Sequence, residues 1–484
     1  MKTLETLSPY AQHWGRVGLA WADQYWDADK HLLRIPDDPD RPPPATQHHT
    51  VRDSIWYATG LFMRQQNGDV ERACQIIQAV LSYQYDEPGR VYHGTFKRTP
   101  LEVDPPPDHA VEWKDYDPNW REFICTVLIV MLIEYPALLP DDLQAAMLNA
   151  IRRAAEGAFK RRVAPQYTNI SLMSAFLLDW AGERFAVPNW RAQADTMAHA
   201  IYASFAERQA FWEYNSPTYY GVDAFALALW REYGLTDVFR VPGATMEAGF
   251  WRDVARFYHA GLKNLCGPWD RSYGMDMQQY IAVVGLSIAT LVPPELAPVP
   301  DVSQPFGHNP DFFFMPPIAL LEPHVPNDAL PHFQRFVDER QVEQVIEPGR
   351  VATAWLSENV MIGGQSGNAI RSPNEQFHLA TMHWRLPDGG VGWLRLRCEA
   401  PVAARTESYA LLLAGKAGLK LKFDIQAMGL QADQLKADQW ELPGLLVNVA
   451  ADGADFAVSA TDSRAEIQLT ASSDFNYRLT VRKI

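Results

Sequence analysis

The sequence predicts a multidomain chain, α then β: an N-terminal (α/α) toroid of helical hairpins followed by a C-terminal antiparallel β-sandwich. Three observations predict it. From Tyr10 to about Leu291, apolar residues recur at three- and four-residue intervals, the period of a helix with one buried face. Ten prolines then crowd the stretch from Leu291 to Pro326, which neither a helix interior nor a central strand tolerates. Beyond that stretch the period falls from 3.6 to 2. A chain of 484 residues is also too long for one compact core, so more than one domain is the expectation.

In chain order, helical spacing marks 52–66, 70–85, 119–135, 141–157, 167–181, 190–207, 219–233, 246–264 and 276–291. Asp117-Pro118-Asn119 and Pro140-Asp141-Asp142 supply starting chemistry for two of these helices. Residues 123–133 and 281–291 are apolar nearly all round, as an inner helix must be, whereas 141–157 and 190–207 are amphipathic and belong outside. Inner and outer helices alternating over such a length are what a toroid requires; a plain multi-helix bundle gives a similar pattern. Pro36–Pro44 and Asp104–His109, rich in Pro and Asp, read as loops at the mouth of the helical domain.

The boundaries that follow are 1–292 for the toroid, 293–344 for a Pro-rich linker or wrapping segment, and 345–484 for the sandwich. In the last part Leu419, Leu421, Phe423 and Ile425 alternate with polar residues, as do Tyr477, Leu479 and Val481. Asp388-Gly389-Gly390 reads as the turn of a hairpin between His383–Leu386 and Trp393–Arg397.

Composition excludes several function classes. A net charge of -15 argues against a nucleic-acid partner, which needs clustered Lys and Arg. An anionic ligand would have to meet a local basic patch. Cys74, Cys125, Cys266 and Cys398 lie far apart without a CxxC pair, so Cys74 and Cys125 read as structural thiols in apolar helices. No HExxH, P-loop, GxGxxG after a strand, or GxSxG element is present; no cofactor is expected and no metal site is assigned, a metal being neither indicated nor excluded. Ile124–Ile133 is too short for a bilayer span, which takes about 20 residues. Met1–Trp14 lacks a basic region followed by an apolar run. No membrane partner and a cytoplasmic location are therefore expected, or a secreted or periplasmic one if a signal was removed; oligomeric state leaves no signature.

The most unusual segment is Phe211-Trp-Glu-Tyr-Asn-Ser-Pro-Thr-Tyr-Tyr-Gly221. It concentrates Glu213, Tyr214, Asn215, Tyr219 and Tyr220 at the mouth of an apolar helix, and such crowding is costly unless the groups meet solvent or ligand. A capped helix start with aromatic packing is the plainer explanation. Asn169 opens another helix, where it equally serves as a cap. A third cluster, Gly267 to Asp276, puts Trp269, Asp270, Arg271 and Tyr273 on a Gly-bounded loop after Tyr258 and His259. Trp269 offers a stacking face, and Arg271 a two-pronged grip on a carboxylate, or else a salt bridge near Asp270. Arg52-Asp53-Ser54 and Trp113–Arg121 are mixed segments that capping explains. His378 and His383, five apart, should face opposite sides of a strand and share no metal.

A helical toroid before an antiparallel β domain resembles the heparinase and alginate-lyase group of polysaccharide lyases. Glu213 through Tyr219, ending in Ser-Pro-Thr-Tyr, is similar to the segment that carries that group's catalytic tyrosine. Asn169, upstream, resembles the asparagine that meets the substrate carboxylate; Ile170 follows it where the group often has a histidine, and His378 and His259 are the candidates for that partner. The resemblance implies cleavage of an acidic, uronic-acid-containing polysaccharide or oligosaccharide by β-elimination. Tyr219 (or Tyr220) would be the acid and base, Asn169 and Arg271 the carboxylate neutralisers and His378 a catalytic partner. Glu213, Tyr214, Asn215, Tyr220, Trp269, Asp270, Tyr273 and His259 would contact substrate. Two alternatives stand beside this reading. One is a glycoside hydrolase pairing Glu213 with Asp223 or Asp270, or using Asp117. The other is a non-catalytic carbohydrate-binding protein; an isomerase or dehydratase on a helical toroid is a remoter case.

Overall fold

The structure is a computed structural model that describes residues 1–39, 48–367, 376–398 and 401–483. The expected loop Pro36–Pro44 lies outside the described residues from residue 40 onward. The chain forms two compact units that interleave along the sequence. The first takes Met1–Ala206, Gly221–Ala248 and Gln279–His324; the second takes Glu207–Tyr220, Gly249–Gln278 and Val325–Ile484.

The first unit is helical apart from a small antiparallel sheet of β1 (Trp26–Asp27), β2 (Leu32–Arg34) and β3 (His49–Thr50). In chain order the helices run α1 (Pro9–Asp23), α2 (Val51–Arg64), α3 (Asp69–Leu81), α4 (Trp120–Glu134), α5 (Asp141–Arg161), α6 (Thr168–Arg184), α7 (Pro188–Arg208), α8 (Tyr220–Tyr233), α9 (Asp237–Phe257), whose residues from Gly249 belong to the second unit, α10 (Val283–Ala289) and α11 (Met315–Leu321). The expected alternation is present: α4 and α6 are buried over most of their length, whereas α5 buries one face, through Leu143, Met147, Ile151 and Ala154. The inner helices pass contact around a ring. α1 packs on α2, α2 on α4, and α4 on α6. Trp230 of α8 donates its indole N–H to the Leu172 carbonyl of α6 at 2.9 Å. Gly221 of α8 lies against the Val283 backbone of α10, α10 touches α11, and α11 returns to α1 and α2. Among the described residues no helix is long and apolar enough to cross a membrane.

α11 corrects one expectation. The Pro-rich stretch expected to be a linker or a wrapping segment supplies, up to His324, core to the helical unit. Pro316 and Pro317 sit in the first turn of α11, where a missing N–H removes no helical hydrogen bond. Just before them Phe312 and Phe313 pack on Trp21, with ring centroids 5.3 and 4.6 Å away, and Phe314 stacks on Trp56 at 4.2 Å. Proline density marked a boundary, but Pro316 and Pro317 fall where the backbone can spare its N–H. Likewise α9 begins at Asp237 with Pro242 in its second turn, earlier than spacing suggested, and α10 is shorter than 276–291.

The second unit is an antiparallel sandwich. Its strands are β6 (Arg340–Glu347), β7 (Arg350–Leu356), β8 (Val360–Ser366), β9 (Ala380–Arg385), β10 (Val391–Arg397), β11 (Ala403–Glu407), β12 (Ala410–Gly415), β13 (Lys420–Gln426), β14 (Gln439–Leu442), β15 (Leu445–Ala450), β16 (Ala454–Ala460), β17 (Arg464–Ala471) and β18 (Phe475–Lys483). The short pair β4 (Tyr258–His259) and β5 (Asn264–Leu265) precedes them. One sheet has the order β16-β17-β13-β10-β9-β8-β7-β6 and the other β11-β12-β18-β15-β14. Between them lies a single core that includes Trp384, Leu394, Phe423, Trp440, Val447 and Leu479. The hairpin around Asp388-Gly389-Gly390 joins β9 to β10, with Val391 opposite Arg385.

Strand β9 departs from simple alternation. Ala380, Met382 and Trp384 face the core, but Thr381 and His383, on the opposite side, are also fully buried. That second face is covered by residues from 249–278.

Substituting Gly221 tests the helical ring. A Cβ there would stand 2.2 Å from the Val283 carbonyl carbon and 2.5 Å from the Val284 nitrogen. Gly221→Ala is expected to destabilise the protein by about 1–3 kcal/mol, since rigid backbone cannot yield as a side chain does. An unchanged melting temperature would contradict the close α8–α10 crossing.

Candidate functional site

The segment from Glu213 to Tyr219 and the loop from Cys266 to Tyr273 are joined by hydrogen bonds within the second unit. Asn215 takes a left-handed backbone, with φ of 52°. That turn lets its amide donate to the Cys266 carbonyl at 2.7 Å and the Pro268 carbonyl at 2.8 Å. The Asp270 N–H donates to the Tyr214 carbonyl at 3.1 Å, and the Ser216 hydroxyl donates to the Arg271 carbonyl. Ser216 also accepts the Tyr219 N–H at 3.0 Å, the capping role its residue type suggests.

The loop is in turn fixed to the sheet. Trp269 and His378 exchange backbone bonds of 3.1 and 3.0 Å, and the Ser272 N–H reaches the Gln376 carbonyl at 2.8 Å. Gly267 donates its N–H to the Thr381 hydroxyl at 3.1 Å. Gly363 of β8 makes the approach possible, because a Cβ there would lie 1.8 Å from the Gly267 carbonyl oxygen. The loop therefore lies on backbone and cannot drift without breaking several bonds together.

This framework brings Arg271, Glu213, Tyr219 and Tyr273 together. Arg271 donates from Nη1 to Glu213 Oε1 at 3.0 Å, from Nη2 to the Tyr219 hydroxyl at 2.7 Å, and from Nε to Gln376 Oε1 at 3.3 Å. Its guanidinium carbon also stands 3.7 Å from the centroid of the Tyr219 ring. The Tyr219 and Tyr273 hydroxyls are 2.5 Å apart. Glu213 is buried, with 3% of its side chain exposed, while Arg271 keeps 28% exposed. Tyr219 and Tyr273 are half-buried, so the two rings meet solvent. A cation bonded to a phenol oxygen favours its ionised form, and low local dielectric strengthens that effect.

The remaining expected residues are placed otherwise. Tyr220 is buried and packs edge-on against Tyr214 and Phe250 as a core ring, whereas Tyr219 bonds Arg271 and Tyr273. Tyr214 donates to Asp253 Oδ1 at 3.2 Å in full burial, which pushes its phenol well above the usual range and the Asp253 carboxyl up to about 7. Trp269, expected to offer a stacking face, is only 1% exposed and lies between the rings of His378 and His383, at 5.6 and 5.4 Å. His259 is buried, donates from Nε2 to the Ser357 carbonyl at 2.8 Å and stacks on Phe336. Asp270 is buried against Arg350 at 3.5 Å rather than beside Arg271. His378 is 2% exposed, which removes it from contact with a substrate in this structure. Nor do His378 and His383 face apart. His378 precedes β9, so strand alternation does not govern it, and both rings border the same indole. Asn169, at the second position of α6, and Asp223 in α8 are buried residues of the helical unit, to which Asp117 also belongs.

Gln376, Arg350 and Asp253 were not anticipated. Nothing local distinguishes Gln376: it stands 105 residues from Arg271 and meets it only because the loop lies along the sheet. Among the described residues no group of three His, Cys, Asp or Glu side chains could hold a metal ion.

Residues 14–323 match a family model described as Domain of unknown function (DUF8769), and residues 335–462 one described as Domain of unknown function (DUF8770). No curated protein sequence matches the chain. Among solved structures it is similar to heparinase III, at 10% identity and a TM-score of 0.46 over 99% of this chain and 85% of that one. It is similar to the chondroitin AC lyase of Streptomyces coelicolor A3 in complex with chondroitin sulphate, at 12% identity and 0.48 over 98% and 80%. A heparan sulfate lyase HepC mutant from Pedobacter heparinus aligns at 11% identity and 0.37 over 97% and 83%.

The histidines beneath the loop make its anchorage pH-dependent. Burial holds His259, His378 and His383 down to about 4, 3 and 4, against an ordinary value of 6.5. A depressed histidine resists protonation in the fold, so stability is intact above pH 6.5 and falls as the pH drops toward those values. Asp253, raised to about 7, acts oppositely and loses its contribution as the pH rises through 7. Each buried histidine is expected to cost about 1.4 kcal/mol per pH unit below 6.5. Thermal melts from pH 7 to 4.5 should show His378→Gln losing about that much slope relative to the parent; parallel curves would refute the assignment.

Proposed function

The chain belongs to the family described as Domain of unknown function (DUF8769), and for this member we propose a lyase that cleaves a uronic-acid-containing polysaccharide or oligosaccharide by β-elimination, with Tyr219 as base and acid. The observation that carries the proposal is the hydroxyl of half-buried Tyr219, held by Arg271 at 2.7 Å and Tyr273 at 2.5 Å. A phenol with a guanidinium both at its oxygen and over its face is prepared to lose a proton, which an ordinary tyrosine with a pKa near 10 is not.

The chemistry asks for little more. The base removes the proton at C5, next to the uronate carboxylate. The C5–H electrons become the C4=C5 bond, and the C4–O4 bond breaks with its electron pair on oxygen. Tyr219, now protonated, returns that proton to O4, so no water is consumed. Arg271 supplies positive charge where negative charge develops. Carboxylate-pair chemistry has less support, because Glu213 is bonded to Arg271 and Asp270 faces Arg350.

The test is an ultraviolet assay against a panel of uronic-acid polysaccharides and oligosaccharides. The unsaturated product absorbs near the ultraviolet edge. Tyr219→Phe, which removes one oxygen, is expected to lower kcat by at least 100-fold, the usual reach of general acid–base catalysis. New reducing ends without absorbance would indicate hydrolysis and overturn the proposal.

A further inference from the structure

We infer that Tyr273 is a second catalytic tyrosine: its hydroxyl exchanges donor and acceptor roles with the Tyr219 oxygen and, with Arg271, holds Tyr219 in its proton-accepting form. The inference rests on the lyase reading for its place in a reaction, but not for its physical content.

It follows from what each group is able to donate. Arginine has five N–H donors and no acceptor, so the Nη2 of Arg271 can only give a hydrogen bond to the Tyr219 oxygen. While Tyr219 is a neutral phenol, its own proton can be given to the Tyr273 oxygen, 2.5 Å away. Once Tyr219 has lost that proton, two oxygens so close can stay together only if the bond reverses and Tyr273 donates. A phenol is suited to this because its single O–H rotates freely about the C–O bond and its oxygen also accepts. The ionised Tyr219 oxygen is then met by one charged and one neutral donor, and donors to the charged form of a group favour that form.

The surroundings fit such a pair. Tyr273 lies edge-on to Tyr219, with ring centroids 6.1 Å apart and planes at 65°, so the rings hold the two oxygens together without stacking. Its loop is fixed on both sides, by the Ser272 N–H to the Gln376 carbonyl at 2.8 Å and by the Ser272 hydroxyl to the Gly274 carbonyl at 2.7 Å. Glu213 and Gln376 take the other two guanidinium nitrogens of Arg271, which fixes Nη2 on the same oxygen. The proton that Tyr219 loses goes to solvent, and within the site only the direction of one hydrogen bond changes.

The experiment compares Tyr273→Phe with the parent protein. The change deletes one hydroxyl and keeps the ring and its packing on Tyr219, and a matched far-ultraviolet spectrum and melting temperature would establish the fold. The protein is labelled with tyrosine carrying carbon-13 at Cζ, and the Tyr219 resonance is identified by its loss in Tyr219→Phe. The expected result is a Tyr219 titration midpoint about one pH unit higher in Tyr273→Phe, the scale of one lost hydrogen bond to a charged oxygen. With an active substrate, the alkaline-side rise of kcat should move by the same amount while KM stays within twofold. An unchanged midpoint would overturn the inference even if lyase activity is found. A shifted midpoint in a protein inactive on every uronide would support the pair while removing the lyase reading.

Discussion

The Arg271 guanidinium is the interaction on which this site depends. It is the point where two stretches of chain, more than fifty residues apart, acquire a shared chemical purpose. A planar cation with a fixed fork of donors can hold a carboxylate, an amide and a phenol at once, each in its own direction, as a lysine could not. Glu213 and Gln376 each accept from a different nitrogen of the fork, which orients the third toward Tyr219. The tyrosines contribute reactivity, but their geometry is borrowed from the arginine. That arginine is in turn held by backbone: its own carbonyl by Ser216, and the next residue's N–H by Gln376.

Much of this was legible in the sequence, and the misses have identifiable causes. Helical and strand periods located most elements because burial imposes them. Residue type singled out the 211–221 and 267–276 segments because so many phenols, acids and aromatics in one place are expensive without a reason. What the sequence could not express was which of these groups face outward. Tyr219 and Tyr220 are neighbours of the same type, yet one meets Arg271 and the other joins Phe250 in the core. Trp269 looked like a sugar platform for the same reason that it serves as a buried wedge between two histidines: a large flat ring suits both uses.

A further lesson concerns proline. Density of proline was read as a linker or a wrapping segment, whereas part of that stretch supplies core to the helical unit. Pro316 and Pro317 begin a helix, and the phenylalanines ahead of them fill the ring. The second face of β9 was equally hidden. Strand alternation announces one buried side, and nothing in 376–385 reports that a segment a hundred residues earlier covers the other.

The interleaving of the two units bears on how the molecule can be made. α1 packs on α2 early but meets α11 only some three hundred residues later, so the helical ring cannot close while either the 207–220 or the 249–278 segment is still to be synthesised. Those segments, in turn, wait for strands that end near the C-terminus. During translation they would be long exposed, with Tyr214, Tyr220, Trp269 and Phe250 unburied, at the stage where hydrophobic surface is most prone to misassociate. A chaperone that shelters nascent chains would meet this protein there, at the same short segments that later carry its reactive tyrosine.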